Sequence, residues 1–251
     1  MVTSNIVKSL LFFVISVPAV AQKNPTYASP EIRVDADAIY YSGPINPAGV
    51  ARALSYVETQ VYKVLHINSR GGEIVSAMDF GEAIYKYGLD VVVTNLCNSS
   101  CANYIFSAGK NKKIEAGGFV MWHGDTRQRN FMQDQELLEK KALSEGHNMT
   151  ENEWQRLKYS QKSVVKQDYF YKTIGIDGRI ARIGQEIDNP VRLWALSVQK
   201  MALFGITNVS APIDYGDTQY CTKWLPKHYA RPAATCLTLS IEEINRWREE
   251  K

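Results

Sequence analysis

The chain has 251 residues, enough for one sizeable domain or two small ones, and is 45% hydrophobic and 22% charged. That balance is ordinary for a soluble globular protein. A formal charge of only +3, with no long basic run, argues against a dedicated nucleic-acid surface.

In residues 1–21, Lys8 is the only charged side chain, followed by the apolar run Leu10–Val17 and then Pro18-Ala19-Val20-Ala21. A short positive region, an apolar core and an Ala-x-Ala end read as a signal peptide cut after Ala21. The run is shorter than the roughly 20 residues a membrane-spanning helix needs. The expectation is therefore a periplasmic or secreted protein, free of the membrane once cleaved. All four cysteines (Cys97, Cys101, Cys221, Cys236) lie beyond the cut, and an even number in an oxidising compartment favours disulfides. Closeness in sequence favours Cys97–Cys101 and Cys221–Cys236. No CxxC pair or His cluster supports a metal site.

Residues 22–30 are polar and read as a flexible lead-in. Ile32–Tyr41 reads as a strand or the start of a hairpin, and Ser42-Gly43-Pro44 as a turn. Asn46-Pro47 opens a helix to about Gln60, with Val50, Leu54 and Val57 on one face. Val61–Ile67 is a buried-type strand, followed by the turn Asn68-Ser69-Arg70-Gly71-Gly72 and a helix over Ile74–Tyr87. Leu89–Val93 is another buried strand. Ser99–Ala108 reads as a helix, and Lys112–Glu115 and Phe119–Trp122 as short strands. From Met132 to Lys172 the chain is charged and helical, with Ala142, Leu157 and Val165 among its few apolar anchors. Leu193–Phe204 reads as a helix, Ile206–Val209 as a strand and Glu242–Glu250 as a terminal helix. Residues 213–237 read as an irregular lobe pinned by a disulfide.

This alternation of apolar strands and helices predicts an α/β fold with a mostly parallel sheet. The domain expected at 31–210 carries the helical excursion 132–172, and a C-terminal lobe fills 211–251. In such a sheet the loops after the strands gather at one edge, where ligands bind. Three segments follow predicted strands: Ile67-Asn68-Ser69-Arg70-Gly71-Gly72, Cys97-Asn98-Ser99-Ser100-Cys101-Ala102 and Met121-Trp122-His123-Gly124. A serine needs an adjacent base to attack a carbonyl, and histidine is the usual one. A helix start and a Gly-Gly turn both offer backbone N–H groups to an oxyanion. Together these are the parts of acyl transfer.

The segment INSRGG resembles the INSPGG of the Clp protease proteolytic subunit, SSCANYIFSAG its nucleophile helix, and FVMWHG its strand ending in the catalytic histidine. WALSVQKMALFGITNV resembles its later helix-to-strand segment. The resemblance covers about 40–124 and 193–209, in the same order; signal peptide peptidase A shares the layout, within the Clp-protease/crotonase-like superfamily. It implies repeated β-β-α units, Ser100 as nucleophile, His123 as base, and Gly72 and Cys101 as oxyanion donors. Ser99 and Cys101 stay open as alternatives, because counting forward from Gly72 lands on Cys101 and Ser99 is one residue away. A Cys97–Cys101 disulfide would remove Cys101. The family's proline before Gly-Gly is Arg70 here. Its catalytic aspartate has no clear counterpart: Asp188 and Glu186 lie in the region, but Leu193 or Arg192 falls nearer the slot.

Taken with the leader, the resemblance implies a serine peptidase or hydrolase, here exported, with a peptide or protein substrate and no cofactor. The alternatives are an inactive binding or assembly protein on the same fold and, less fitting outside the cell, a crotonase-type acyl-CoA enzyme. By fold analogy the chain forms a homo-oligomer, with 132–172 as a candidate surface. His66, His147 and His228 are read as structural, the serines otherwise as helix caps, and Tyr215, Tyr220, Trp224 and Tyr229 as packing around a disulfide.

Overall fold

The computed structural model describes residues 29–229 and 234–250. The expected leader at 1–21 and most of the lead-in lie outside them. Among the described residues no helix is long and apolar enough to cross a membrane.

The fold is α/β around a mostly parallel sheet. The first strands, β1 (Glu31–Asp35) and β2 (Ala38–Ser42), form an antiparallel hairpin, with Glu31 opposite Ser42. Helix α1 (Pro47–Val57) begins where the sequence places it: the Asn46 side chain accepts from Gly49 N at 2.8 Å, and Pro47 fills the first turn, where an N–H has no partner to lose. Then come β3 (Val64–Ser69), α2 (Ile74–Tyr87) and β4 (Asp90–Asn98), with β2, β3 and β4 parallel. Met78, Phe80 and Ile84 of α2 are fully buried, each contributing about 1.5–3 kcal/mol by leaving water.

Strand β4 runs five residues beyond the expected Val93. The extension Thr94–Asn98 is not a Val-rich run, but its end has two neighbours. Ser69 of β3 pairs with Cys97 across a register shift, and β6 (Phe119–Met121) pairs with Leu96–Asn98. β5 (Lys112–Ile114) takes the earlier part of the same edge. Tertiary pairing, not local propensity, carries the strand to the edge of the site.

After β6 come α3 (Arg129–Glu145) and α4 (Glu151–Ile174), the helical excursion. Thr150 and Glu153 form a reciprocal capping box at the start of α4. Leu157 is buried as expected, Ala142 is half-buried, and Val165 is 70% exposed; its neighbour Val164 faces the core instead. The one-turn helix α5 (Ile183–Glu186) leads to β7 (Trp194–Ala195) and α6 (Val198–Ala202). The helix expected over Leu193–Phe204 is thus confined to its second half. Trp194 is fully buried and exchanges both backbone hydrogen bonds with Trp122, at 2.9 and 3.0 Å, which holds this stretch extended.

β8 (Val209–Ser210) closes the sheet against β5. The C-terminal lobe is more regular than the sequence suggests. It holds α7 (Thr218–His228), β9 (Thr235–Cys236), which pairs with β7, and α8 (Ile241–Glu250). Both expected disulfides are present, Cys97–Cys101 and Cys221–Cys236, with Cα separations of 5.1 and 5.9 Å. The lobe's tyrosines stand in for a missing strand beside β6. Tyr215 OH accepts from Val120 N at 2.9 Å and donates to Val120 O at 3.2 Å; Tyr220 OH does the same with Gly117 N and Gly118 O. Buried backbone groups that would otherwise lack partners are thereby satisfied.

Candidate active site

Three strand ends place the site. β3 delivers the Arg70-Gly71-Gly72 turn, β4 delivers Ser99 and Ser100, and β6 leads through Trp122 to His123. The turn can approach the serines only because residue 71 is glycine. It sits at φ +93°, and a Cβ there would lie 2.7 Å from both Asn98 O and Ser99 Cβ.

The structure separates the two serines. Ser99 has φ +59°, a left-handed conformation uncommon for a residue with a side chain. Such a sharp turn between strand and helix presents its side chain outward, and Ser99 Oγ lies 2.6 Å from His123 Nε2. Ser100 is 2% exposed, and its hydroxyl turns the other way. It accepts from Gly72 N at 2.8 Å and donates to Gly72 O at 3.2 Å. The serine facing the imidazole is therefore the neighbour of the one favoured by counting residues. Backbone twist decides between them, and spacing does not carry that information.

The expected oxyanion groups also lie here. In this state Gly72 N–H is taken by Ser100 Oγ, and Cys101 is fully buried in its disulfide. That bond spans Asn98, Ser99 and Ser100, clamping the strand end to the start of the next helix. The helix itself, Cys101–Phe106, is π-type, a wide turn often found at functional sites. Ser99 O accepts from Asn103 N at 2.9 Å, so the turn is held from both sides.

His123 keeps an exposed edge, but enough of its ring is covered that desolvation lowers its pKa below the usual 6.5. The charge of Arg192 pushes it the same way. Arg192 is brought near His123 because Trp194, two residues on, bridges Trp122 in antiparallel fashion. The region where the resemblance expects an aspartate thus carries a cation. Glu186 is committed elsewhere, 3.4 Å from Arg182 Nε, and no hydrogen bond from His123 to a carboxylate is found among the described residues.

Several residues that hold the site gave no sequence signal. Gln185 Nε2 donates to His123 O at 2.5 Å, and Asn103 Nδ2 donates to Gly124 O at 2.9 Å. Two residues past His123, the fully buried Asp125 carboxylate accepts from Arg127 N, Gln167 Nε2 and Arg182 Nη1 at 2.9–3.3 Å. Asn98 Nδ2 donates to Tyr229 OH at 2.6 Å. Among the described residues no cluster of His, Cys, Asp or Glu could hold a metal ion. The other histidines sit apart: His66 stacks on Tyr40 at 4.6 Å, His228 Nε2 meets Gly117 O, and His147 is exposed on the α3–α4 connection.

No family model and no curated protein matches the chain. Solved structures that match include an enoyl-CoA hydratase from Mycobacterium avium subsp. paratuberculosis K-10. It is 12% identical with a TM-score of 0.33, over 61% of this chain and 89% of that one. Another, from Rhodopseudomonas palustris CGA009 and described as an enoyl-CoA hydratase, is 9% identical with a TM-score of 0.30. That match covers 37% of this chain and 48% of the other, so it spans about half of that protein's length.

Proposed function

We propose that the protein is an exported serine hydrolase, a peptidase by resemblance, with Ser99 as nucleophile and His123 as base. The observation that carries this reading is the 2.6 Å contact between Ser99 Oγ and His123 Nε2 at a left-handed turn. His123 would take the hydroxyl proton as Oγ attacks the carbonyl, then give it to the leaving group as the C–N or C–O bond breaks. Water, deprotonated by the same imidazole, would hydrolyse the acyl-serine ester. The oxyanion would meet Ser100 N–H, which follows the nucleophile, and Gly72 N–H once Ser100 Oγ releases it. Two disulfides and the leader-like first 21 residues support export. The test is a fluorophosphonate probe followed by peptide mapping. The adduct is expected on Ser99, and folded protein that takes no label overturns the reading.

One observation favours a second reading, a non-catalytic binding protein: His123 has no carboxylate partner among the described residues. A Ser–His pair without the acid is weaker but chemically complete. Its pH dependence separates the two. Neutral His123 is the active form, so turnover of a p-nitrophenyl ester should be full above its pKa and fall as pH drops through it. With that pKa held below 6.5, the acid midpoint should lie below pH 6.5. Arg192→Gln removes a charge that opposes protonation and should move the midpoint upward. A flat profile counts against the pair, and a midpoint unmoved by the substitution would mean that burial alone sets the His123 pKa.

The clamp across the turn makes a further expectation. Closing so short a loop is worth about 2 kcal/mol by chain entropy. Its larger effect is to hold Ser99 in its left-handed turn. The double variant Cys97→Ala/Cys101→Ala should therefore lose at least tenfold in ester turnover while its urea midpoint falls only modestly. Unchanged turnover would show that packing alone holds the turn.

A further inference from the structure

Arginines flank the Ser99–His123 pair on both sides without carboxylate partners. Arg70 immediately precedes the Gly71-Gly72 turn that touches Ser99. Its guanidinium lies 5.2 Å from the Tyr229 ring centroid and donates to His228 O at 3.2 Å. Neither contact neutralises it. Arg192 is exposed and lies two residues before Trp194, whose backbone bridges Trp122 next to His123. Among the described residues neither Arg70 nor Arg192 has a carboxylate within ion-pair distance, although ten other ion pairs are formed.

A second observation points to a ligand on the Arg70 side. Asn98, the residue before Ser99, is 4% exposed, and its Oδ1 has no hydrogen-bond partner. Its amide is fixed by Tyr229, the residue under Arg70. A buried acceptor left open costs free energy unless something donates to it. Asn98, Tyr229 and Arg70 are thus linked in series, from a buried acceptor to an exposed cation. A peptide with an acidic side chain supplies the complement to Arg70, the end of the series that solvent reaches.

Chemistry sets the direction of the chain. The leaving group takes its proton from His123, so it lies on the Arg192 side, and the acyl part lies on the Gly-Gly and Arg70 side. On the leaving side, a cavity of about 530 Å³ is lined by Arg129, Gln185, Glu186, Ile187 and Pro190. Gln185 also holds His123 O, and Glu186 is paired with Arg182.

We infer that the site cleaves acidic peptides, with an Asp or Glu on each side of the scissile bond, read by Arg70 on the acyl side and Arg192 on the leaving side. This rests on the serine-hydrolase reading and extends it to the substrate class. A fixed charge pair gives selectivity through electrostatic complementarity, and it weakens with salt because both arginines are exposed.

The experiment uses three internally quenched peptides, alike except for Glu-Glu, Gln-Gln or Lys-Lys at the centre. At low salt kcat/KM should be at least tenfold higher for Glu-Glu than for Gln-Gln, and lowest for Lys-Lys. The preference should shrink in 0.5 M sodium chloride. Arg70→Gln should remove the preference on the acyl side alone, and Arg192→Glu should reverse it on the leaving side alone, as read with singly substituted peptides. Equal rates for the three peptides in protein whose Ser99 takes the fluorophosphonate overturn this inference and leave the hydrolase standing. Protein that takes no label overturns both.

Discussion

Replacing Ser99 with alanine should abolish turnover and fluorophosphonate labelling, whereas replacing Ser100 should leave Ser99 reactive. The magnitudes are far apart. Loss of the nucleophile from a Ser–His system costs about 10⁴-fold or more in kcat. Ser100→Ala removes one hydroxyl with two neutral hydrogen bonds to Gly72 and keeps the backbone N–H of residue 100. At about 1 kcal/mol for each such bond, the two together bound the cost at about thirtyfold. The assignment would be overturned by the opposite pattern, in which Ser100→Ala takes no label and Ser99→Ala retains it. Stability gives an independent readout of the same geometry. A side chain held at φ +59° stores roughly 1 kcal/mol or more of strain. Ser99→Gly should therefore raise the thermal midpoint while abolishing turnover. An inactive variant that is more stable than the parent marks strain held for function, whereas a cap residue of purely structural use would show the reverse.

What the sequence could show and what it could not divides along a physical line. Asn46-Pro47 fixes a helix start by local chemistry, and α2 ends where helical spacing ends, so both are legible residue by residue. The gathering of Gly71, Ser99 and His123 follows from strand order, which alternation of apolar runs reveals. The choice between Ser99 and Ser100 depends on a single backbone dihedral, which Asn-Ser-Ser-Cys does not encode; residue counting against the resembling family favours Ser100, whereas Ser99 is the one that faces the imidazole. The stretch around Trp194 reads as helix by period, yet it is extended because its backbone pairs with Trp122, 72 positions away. That same bridge brings Arg192 near His123, where the resemblance puts Leu193 or Arg192 closest to the family's aspartate slot; the pairing supplies the physical reason. The phenols of Tyr215 and Tyr220, which replace a strand along β6, belong to the same class. Their aromatic character predicts packing, but only the fold shows which backbone groups they satisfy.

The largest stability effect should come from Asp125, two residues beyond His123. Its side chain is fully buried, and Arg182, itself only 15% exposed, supplies the opposing charge. Burial raises the pKa of this carboxyl despite Arg182 and three further hydrogen-bond contributions that lower it, so desolvation outweighs the favourable contacts. A pair of this kind adds little net stability, yet breaking it is costly, because the remaining charge stays largely buried with only the longer contact to Glu186 at 3.4 Å to offset it. Asp125→Ala would leave Arg182 with the more exposed Glu186 as its one carboxylate, and Arg127 N and one Gln167 amide hydrogen without their acceptor. The expected loss is about 3–5 kcal/mol, a large share of the roughly 5–15 kcal/mol that holds a domain together. Asp125→Asn keeps an acceptor for Arg127 N and should cost less. The double variant Asp125→Leu/Arg182→Met removes both charges and should recover most of the loss, as urea midpoints at constant m-value would show. The sign with pH is also unusual. The folded pKa is raised, so the contribution of Asp125 to stability is full below its unfolded pKa and is lost as pH rises through the folded value. Relative to Asp125→Asn, the parent should therefore gain stability on acidification. A parent that instead loses stability relative to Asp125→Asn as pH falls would mean that the Arg182 contact outweighs burial. Because the same network holds the segment leading from His123, Asp125→Asn should also slow ester turnover while Ser99 still takes the label, which places Asp125 as a positioning residue rather than a catalytic one.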